Sequence, residues 1–306
     1  MHSHKPGLDD SKVSPQLKRW MPQLLMTPRI ADISLIPALP ILVLLAFVVL
    51  AIAAPLVAPY NPVRERLTDS MLAPAFAPGG VGSHLLGTDL YGRDVLSRLI
   101  YGARISLSVS ALALLIGTAV GTPVGLIAGF VGGWIDTVLM RIVDVMLSFP
   151  LILAALALAV ALGPSFSNVV IVIGLLIWPR FARQIRGEAM VLKDREFVQY
   201  ARAIAVPSWV IMLRHVLPNV MPTLLVLSTL QIGHVILLEA SLSFLGAGVP
   251  PPQPSWGVMV SEGSGLVRTG WWIALFPGLA IVITVLSFNT VGDWLRDRLD
   301  PSLKER

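Results

Sequence analysis

The sequence predicts an all-α integral membrane protein with six transmembrane helices. Apolar residues make up 55% of the 306 residues and charged residues only 13%, whereas a typical globular chain has about 25% charged residues. Mean hydropathy is +0.77, so the chain has too little polar surface to cover a water-soluble globule. The Lys and Arg residues collect in tails and loops, which is typical of orientation signals in membrane proteins and argues against a nucleic-acid-binding surface.

Six stretches are long and apolar enough to cross the hydrocarbon core, or nearly so, since a crossing needs about 20 residues of helix. They are residues 35–58, 105–130, 138–162, 168–182, 220–248 and 271–291. The first contains Ala51-Ile52-Ala53, which resembles a signal-peptide cleavage site. Its apolar run is longer than the roughly 7–15 residues of a signal peptide, so we expect it to be retained as a helix.

Positive charge in the loops predicts the orientation of these helices. With the N-terminus in the cytoplasm, 17 of the 23 Lys and Arg residues fall on the inside and 6 on the outside. The sequence therefore predicts cytoplasmic tails at 1–34 and 294–306 and a cytoplasmic loop at 188–218. The long loop at 59–104 is predicted to be external.

The end of this external loop has an amphipathic pattern. Its apolar residues share one helical face, and its arginines can reach lipid headgroups. The apolar residues are Val95, Leu96, Leu99 and Ile100, and the arginines are Arg93, Arg98 and Arg104. The pattern predicts a helix that lies along the membrane interface before the chain turns inward.

Polar residues within the predicted helices are few. Glu239 is the most notable of them, because it places a carboxylate inside the predicted span 220–248. Exposing a carboxylate to lipid costs free energy, so Glu239 should face protein or water. It can be a structural acid bonded to Ser241 or to a neighbouring helix, or it can line a translocation path as a proton carrier. His234, in the same helix, suits a packing or hydrogen-bonding role better than a ligand role. Arg141 and Asp144, one turn apart, are predicted to pair with each other.

Motifs for chemistry are missing from the sequence. It has no Gly-x-x-x-x-Gly-Lys-Ser/Thr phosphate-binding loop and no His-Glu-x-x-His metal motif, and it contains no cysteine. The chain is therefore predicted to bind no cofactor or metal and to carry no catalytic residues.

The cytoplasmic loop contains a short amphipathic helix, EFVQYARAIAVP at 196–207. Its apolar residues recur on one face at helical spacing, and Gln199 and Arg202 lie on the other. The apolar residues are Phe197, Val198, Ala201, Ile204 and Ala205. The apolar face can pack against this chain's own helices or the membrane surface, or it can dock onto another protein, and both interpretations stay open on the residues alone.

Four segments carry a resemblance to a known family. ARAIAVPSWVIMLRHVLPN at 201–219 resembles the EAA loop of ABC importer permeases, in the form found in the dipeptide/oligopeptide/nickel permeases. HLLGTDLYGRDVLSRLIYGARISL at 84–107, SLSFLGAGVPPPQPSWGVM at 241–259 and NTVGDWLRDRLDP at 289–301 are also similar to that family. The resemblance covers residues 35–301.

The resemblance implies a type I ABC importer transmembrane domain, with a core at 105–293 and a cytoplasmic coupling helix. It implies a multi-pass protein of the inner membrane that works with a second homologous permease subunit, two ATPase subunits that bind ATP and Mg²⁺, and an external substrate-binding protein. Docking onto the ATPase is then expected of the coupling loop residues. These are Glu196, Phe197, Tyr200, Ala201, Arg202, Ala203, Ile204, Ala205, Val206, His215, Leu217 and Pro218.

The loop departs from the family pattern at two places. The family usually has glycine where this chain has Ala205, and an alanine pair where it has Tyr200-Ala201. A left-handed alanine costs about 1–2 kcal/mol, so a shallower turn is expected here.

Two rival functions fit the sequence less well than a permease subunit. A proton-coupled secondary transporter using Glu239 lacks the internal repeats that such proteins often show. A membrane-embedded hydrolase lacks a paired acid–base or metal motif. The substrate stays open among dipeptides, oligopeptides, glutathione, nickel chelates and opines.

Overall fold

A computed structural model describes residues 37–299, and its regular elements are helical. The helices are α1 (Ala38–Ile52), α2 (Ala54–Val57), α3 (Val95–Val131), α4 (Gly133–Ser148), α5 (Leu151–Leu162), α6 (Phe166–Leu192), α7 (Glu196–Ala203), α8 (Ser208–Ile211), α9 (Leu217–Phe244), α10 (Trp256–Ser264) and α11 (Trp271–Leu299). A 3₁₀ turn lies at Leu67–Asp69, and a π-helical turn at Met212–Val216 joins α8 to α9. The predicted tail at 1–34 and residues 300–306 lie outside the described residues.

Within residues 37–299, four helical stretches are long and apolar enough to cross a membrane. They are α3, α6, the stretch Ser208–Phe244 and α11, and α4 with α5 adds a fifth if this bent pair is one span. Helix α1 has 15 residues, a length of about 22 Å at 1.5 Å per residue, which is shorter than the hydrocarbon core of about 30 Å. The all-α multi-span architecture is confirmed, but the count of six is not.

The predicted third span is broken in its middle. Helices α4 and α5 meet at an angle of 90°, with Phe149 in extended conformation at ψ 139°. Pro150 follows at once. Proline lacks the N–H that a helix needs and disfavours the helical conformation in the residue before it, so the chain turns at this dipeptide.

Helices α3 and α6 pack closely through a row of glycines. Gly117, Gly121, Gly125 and Gly129 follow one another at four-residue intervals and face α6. A Cβ at Gly121 would lie 2.5 Å from the Trp178 carbonyl oxygen. The next glycines along α3, Gly125 and Gly129, are equally close to the carbonyl oxygens of Ala182 and Arg186, so the contacted residues of α6 also advance by four. The two helices are therefore parallel and in backbone contact. In lipid such small residues favour association because they let helix backbones approach.

Two ion pairs fasten α4 to α6. Arg186 donates to both carboxylate oxygens of Asp136 at 2.5 and 2.6 Å, and Arg183 pairs with Asp144. The predicted pairing of Arg141 with Asp144 is wrong, because α6 presents an arginine across the helix pair. Spacing along one helix could not reveal that partner.

The loop that precedes α3 ends in a buried charge cluster, so the predicted headgroup contacts of Arg93 and Arg98 are wrong. Both arginines are buried, and α3 begins directly at Val95 as part of a 37-residue helix. Arg93 donates to Asp89 at 2.7 Å and to both oxygens of Glu262 at 3.1 Å, and Arg98 contacts the same two carboxylates. The cluster connects the loop before α3, and α3 itself, to α10.

Charge compensation explains why these arginines can be buried. Burial by itself lowers the pKa of the Arg93 guanidinium. The charges of Asp89 and Glu262 and the hydrogen bonds to them raise that pKa by more, so the net shift is upward and Arg93 stays charged. Two cations and two anions balance each other within the protein, which is the usual condition for burying charge.

Candidate functional site

Helix α7, the predicted coupling helix, has apolar residues in two different surroundings. Val198 is fully buried and Ala201 is 7% exposed, and both belong to the core of the helix bundle. Phe197, Tyr200 and Ile204, in contrast, are 38%, 71% and 77% exposed. These three lie at i, i+3 and i+7, so they form one stripe along the helix. We call them the exposed stripe. The helix is thus anchored by one face and leaves a second apolar face uncovered.

The other predicted docking residues lie around this stripe. Glu196, Arg202, Ala203, Ala205 and Pro218 are exposed, whereas Val206, His215 and Leu217 are partly buried. Arg202 does more than lie on a polar face, since its guanidinium stacks over the Phe130 ring at 5.0 Å. This contact joins α7 to the end of α3.

The turn after α7 keeps a left-handed residue. Ala205 has φ 58°, the Val206 N–H donates to the Ala201 carbonyl at 3.0 Å, and the Ala205 N–H donates to the Arg202 carbonyl at 2.9 Å. This pair of bonds is a Schellman motif, in which the residue after the cap is left-handed. The expected shallower turn is wrong. The two bonds and the burial of Ala201 and Val206 against the core offset the roughly 1–2 kcal/mol that a left-handed alanine costs.

Two exposed apolar residues in this segment were not predicted. Trp209 and Leu213 are 63% and 56% exposed and follow each other at i and i+4. Their i, i+4 spacing is a sequence signal for a second apolar face, and it lies after Pro207, beyond the predicted amphipathic helix at 196–207. They enlarge the uncovered apolar surface that begins with the exposed stripe.

Glu239 is held in a cage of serines inside the bundle. The residue is fully buried, and its carboxyl oxygens accept hydrogen bonds from Ser243 at 2.8 Å and from Ser106 of α3 at 3.0 Å. The Ser106 hydroxyl oxygen also accepts a hydrogen bond from the backbone N–H of Trp256 at 3.3 Å. The cage therefore joins α9 to α3 and α10. The predicted bond from Glu239 to a neighbouring helix is therefore found, in the contact with Ser106 of α3. The predicted bond to Ser241 is not found, because the Ser241 hydroxyl donates to the Leu237 carbonyl.

His234 lies on a different face of α9 from Glu239. It is exposed, and its Nδ1 lies 3.3 Å from the Leu230 carbonyl oxygen. The partly or fully exposed residues of this face recur at alternating spacings of four and three. They are Thr223, Leu227, Leu230, His234, Leu237 and Ser241. Such spacing defines one continuous side of a helix. The structure therefore does not bring the two predicted path residues together.

Residues 37–299 contain no cluster of side chains suited to holding a metal ion. No cluster of three or more His, Cys, Asp or Glu side chains in that range is arranged to hold an ion. The features that this part of the chain does offer are an uncovered apolar stripe, a buried acid held by serines, and a face of α9 on which His234, Thr223 and Ser241 alternate with leucines.

Comparison with known proteins places these features in a family. A family model described as "Binding-protein-dependent transport system inner membrane component" matches residues 121–305. The chain is 46% identical to the dipeptide transport system permease protein DppC of Escherichia coli K12, over 84% of this chain and 85% of that protein. It is 44% identical to the glutathione transport system permease protein GsiD of Shigella flexneri, over 86% and 85% of the two chains.

A solved structure shares the fold. The chain superposes on a chain of the MetNI methionine ABC transporter in an inward-facing conformation with a TM-score of 0.56. The match covers 66% of this chain and 96% of the MetNI chain at 17% sequence identity. The likeness shows the fold alone.

Proposed function

Because the chain belongs to the family of binding-protein-dependent transport system inner membrane components, we propose that it forms half of the translocation path of a peptide importer. It is a membrane-embedded permease subunit of an ABC importer and not an enzyme, and its ATPase is a separate subunit. The substrate that we propose is a short peptide or a related small solute, by analogy with the relatives named for dipeptides and glutathione.

The observation that carries the coupling role is the exposed stripe. Phe197, Tyr200 and Ile204 remain uncovered on a helix that is already anchored to the bundle through Val198 and Ala201. Apolar side chains on a cytoplasmic loop favour burial against a partner. The anchor makes α7 rigid with respect to the spans, so motion of an ATPase subunit docked on the stripe would pass to them. ATP and Mg²⁺ are then bound by the ATPase subunits.

The position of His234 supports the proposal that its face of α9 borders the translocation path. A polar side chain on the outside of a span is costly against lipid and is expected to face water or another protein. We propose that this face meets the second, homologous permease subunit across a path for solute, so that neither subunit encloses the path alone. ATP-driven uptake of dialanine by the assembled permeases, ATPases and binding protein tests the assignment. Uptake by this chain without a second permease would contradict it.

Glu239 has a structural role in this proposal. Glu239→Gln keeps an acceptor oxygen for one of the two serines and offers an amide N–H to the hydroxyl oxygen of the other. It cannot release a proton, so we expect uptake of dialanine close to the wild-type rate. Glu239→Leu leaves buried hydroxyls without their acceptor, which costs about 1–3 kcal/mol, and should lower the melting temperature of the purified complex. Loss of uptake in the Gln variant with unchanged stability would instead favour the proton-coupled transporter.

Both termini and the loop that contains α7 are proposed to be cytoplasmic, because Lys and Arg are concentrated in those segments. The chain contains no cysteine, so single introduced cysteines report on topology without background. Thr68 and Ser208 are both exposed. With an impermeant thiol reagent, Thr68→Cys should label in intact cells and Ser208→Cys only after permeabilisation. Labelling of both in intact cells would overturn the orientation.

A further inference from the structure

A cavity of about 450 Å³ lies between α6, α9 and α11. Glu188 of α6 and Arg296 of α11 are its charged lining residues, and Thr223 of α9 adds a hydroxyl. Leu227 and Leu230 contribute apolar surface. A second cavity, of about 380 Å³, adjoins it and shares Glu188. The volume is in the range of small-molecule sites, which measure roughly 300–1,000 Å³.

The carboxylate of Glu188 is half-buried and has no cation beside it. Three arginines of α6 lie within nine residues of it, but each contacts another group. Arg180 donates to Gln231, Arg183 pairs with Asp144, and Arg186 pairs with Asp136. No Lys, Arg or His of residues 37–299 forms an ion pair with Glu188. A partly desolvated carboxylate of this kind favours a cationic ligand.

Arg296 supplies the complementary charge at the same cavity. It is exposed, and within residues 37–299 it forms no ion pair. The planar guanidinium matches the geometry of a carboxylate. The cavity therefore offers an anion, a cation and apolar surface from three different helices.

We propose that this cavity binds a small zwitterion, with its ammonium group at Glu188, its carboxylate at Arg296 and an apolar side chain on Leu227 and Leu230. A short peptide with free termini has this chemistry. The inference rests on the proposed function, because the cavity then lies on the cytoplasmic half of the permease, where Thr223, Leu227 and Leu230 of the α9 face that carries His234 line it. It makes the cavity a release site that peptides reach after crossing.

Binding of leucylleucine to the nucleotide-free complex of permeases and ATPases tests the site. The complex is placed in phosphatidylcholine nanodiscs without the binding protein, so that neither a primary-amine lipid nor the binding protein competes. Equilibrium dialysis should show saturable binding by the wild type. Glu188→Gln and Arg296→Gln should each raise the dissociation constant at least tenfold. Arg298→Gln is the matched control, since Arg298 stacks on Trp294 and does not line the cavity, and it should leave the constant unchanged.

The wild-type complex also provides a test that needs no variant. Leucylleucine amide acetylated at its amino terminus has the same side chains but neither charge, and it should not bind. Equal binding of the blocked peptide, or absence of saturable leucylleucine binding, would overturn the site. Uptake assays on the same purified complex, reconstituted into sealed phosphatidylcholine vesicles with the binding protein added, separate the two hypotheses. ATP-driven uptake without binding at the cavity would contradict only the proposed release site. Absence of ATP-driven uptake would contradict the proposed function as well.

Discussion

Replacing Ile204 with Asp is expected to release the ATPase subunits and abolish transport. Ile204 is 77% exposed on a helix whose opposite side is anchored in the bundle, so the substitution leaves the fold of the permease intact. In the docked complex it would place an unpaired charge in an apolar interface, at a cost of several kcal/mol. Because about 1.4 kcal/mol corresponds to a tenfold change in affinity, even a partial penalty should separate the subunits. Co-purification of the ATPases through a tag on the permease measures this.

Two variants on the same helix control for charge and for folding. Gln199 is exposed but lies outside the exposed stripe, so Gln199→Asp adds the same charge and should have a milder effect on co-purification. Val198 is fully buried, so Val198→Asp should reduce the amount of folded permease itself. If the Ile204→Asp permease retains its ATPases and wild-type uptake, the stripe is not the docking surface.

Replacing Gly125 with Leu is expected to prevent the permease from folding. A Cβ at this position would lie 2.5 Å from the Ala182 carbonyl oxygen of α6, and backbone cannot move aside as a flexible side chain can. The helices would have to separate, which would loosen the contacts of the neighbouring glycines as well. The amount of monodisperse permease after detergent extraction, measured by fluorescence size-exclusion chromatography, should fall to a small fraction of the wild type.

Alanine substitutions grade this effect. Gly125→Ala adds a single methyl group at the contact and should cost about 1–3 kcal/mol, the usual range for overpacking. Gly278 lies inside another span, α11, with no atom within 4 Å of the position of a Cβ. Gly278→Ala should therefore leave the melting temperature unchanged or raise it slightly, since alanine is the better helix former. Equal stability of the two alanine variants would show that the α3–α6 contact is not tight.

The sequence by itself determined the class of the protein, the existence of α7 and membership of the permease family. Composition alone places the chain in a membrane, because an excess of apolar residues leaves no alternative. The recurrence of apolar residues every three or four positions in 196–207 predicts a helix, because side chains at that spacing meet on one face. These are local properties, so no knowledge of the fold was needed to read them.

The tertiary structure alone decided which groups meet. Arg93 and Glu262 are 169 residues apart, and the local pattern around Arg93 is equally that of an interfacial helix. The same holds for Asp144, whose partner lies on another helix, and for the division of α7 into an anchored and an uncovered face. Ala205 is left-handed because its turn is held by two hydrogen bonds and by the packing of Ala201 and Val206. Contacts between distant segments depend on how the helices pack. That packing decides which partner each charged or apolar side chain contacts.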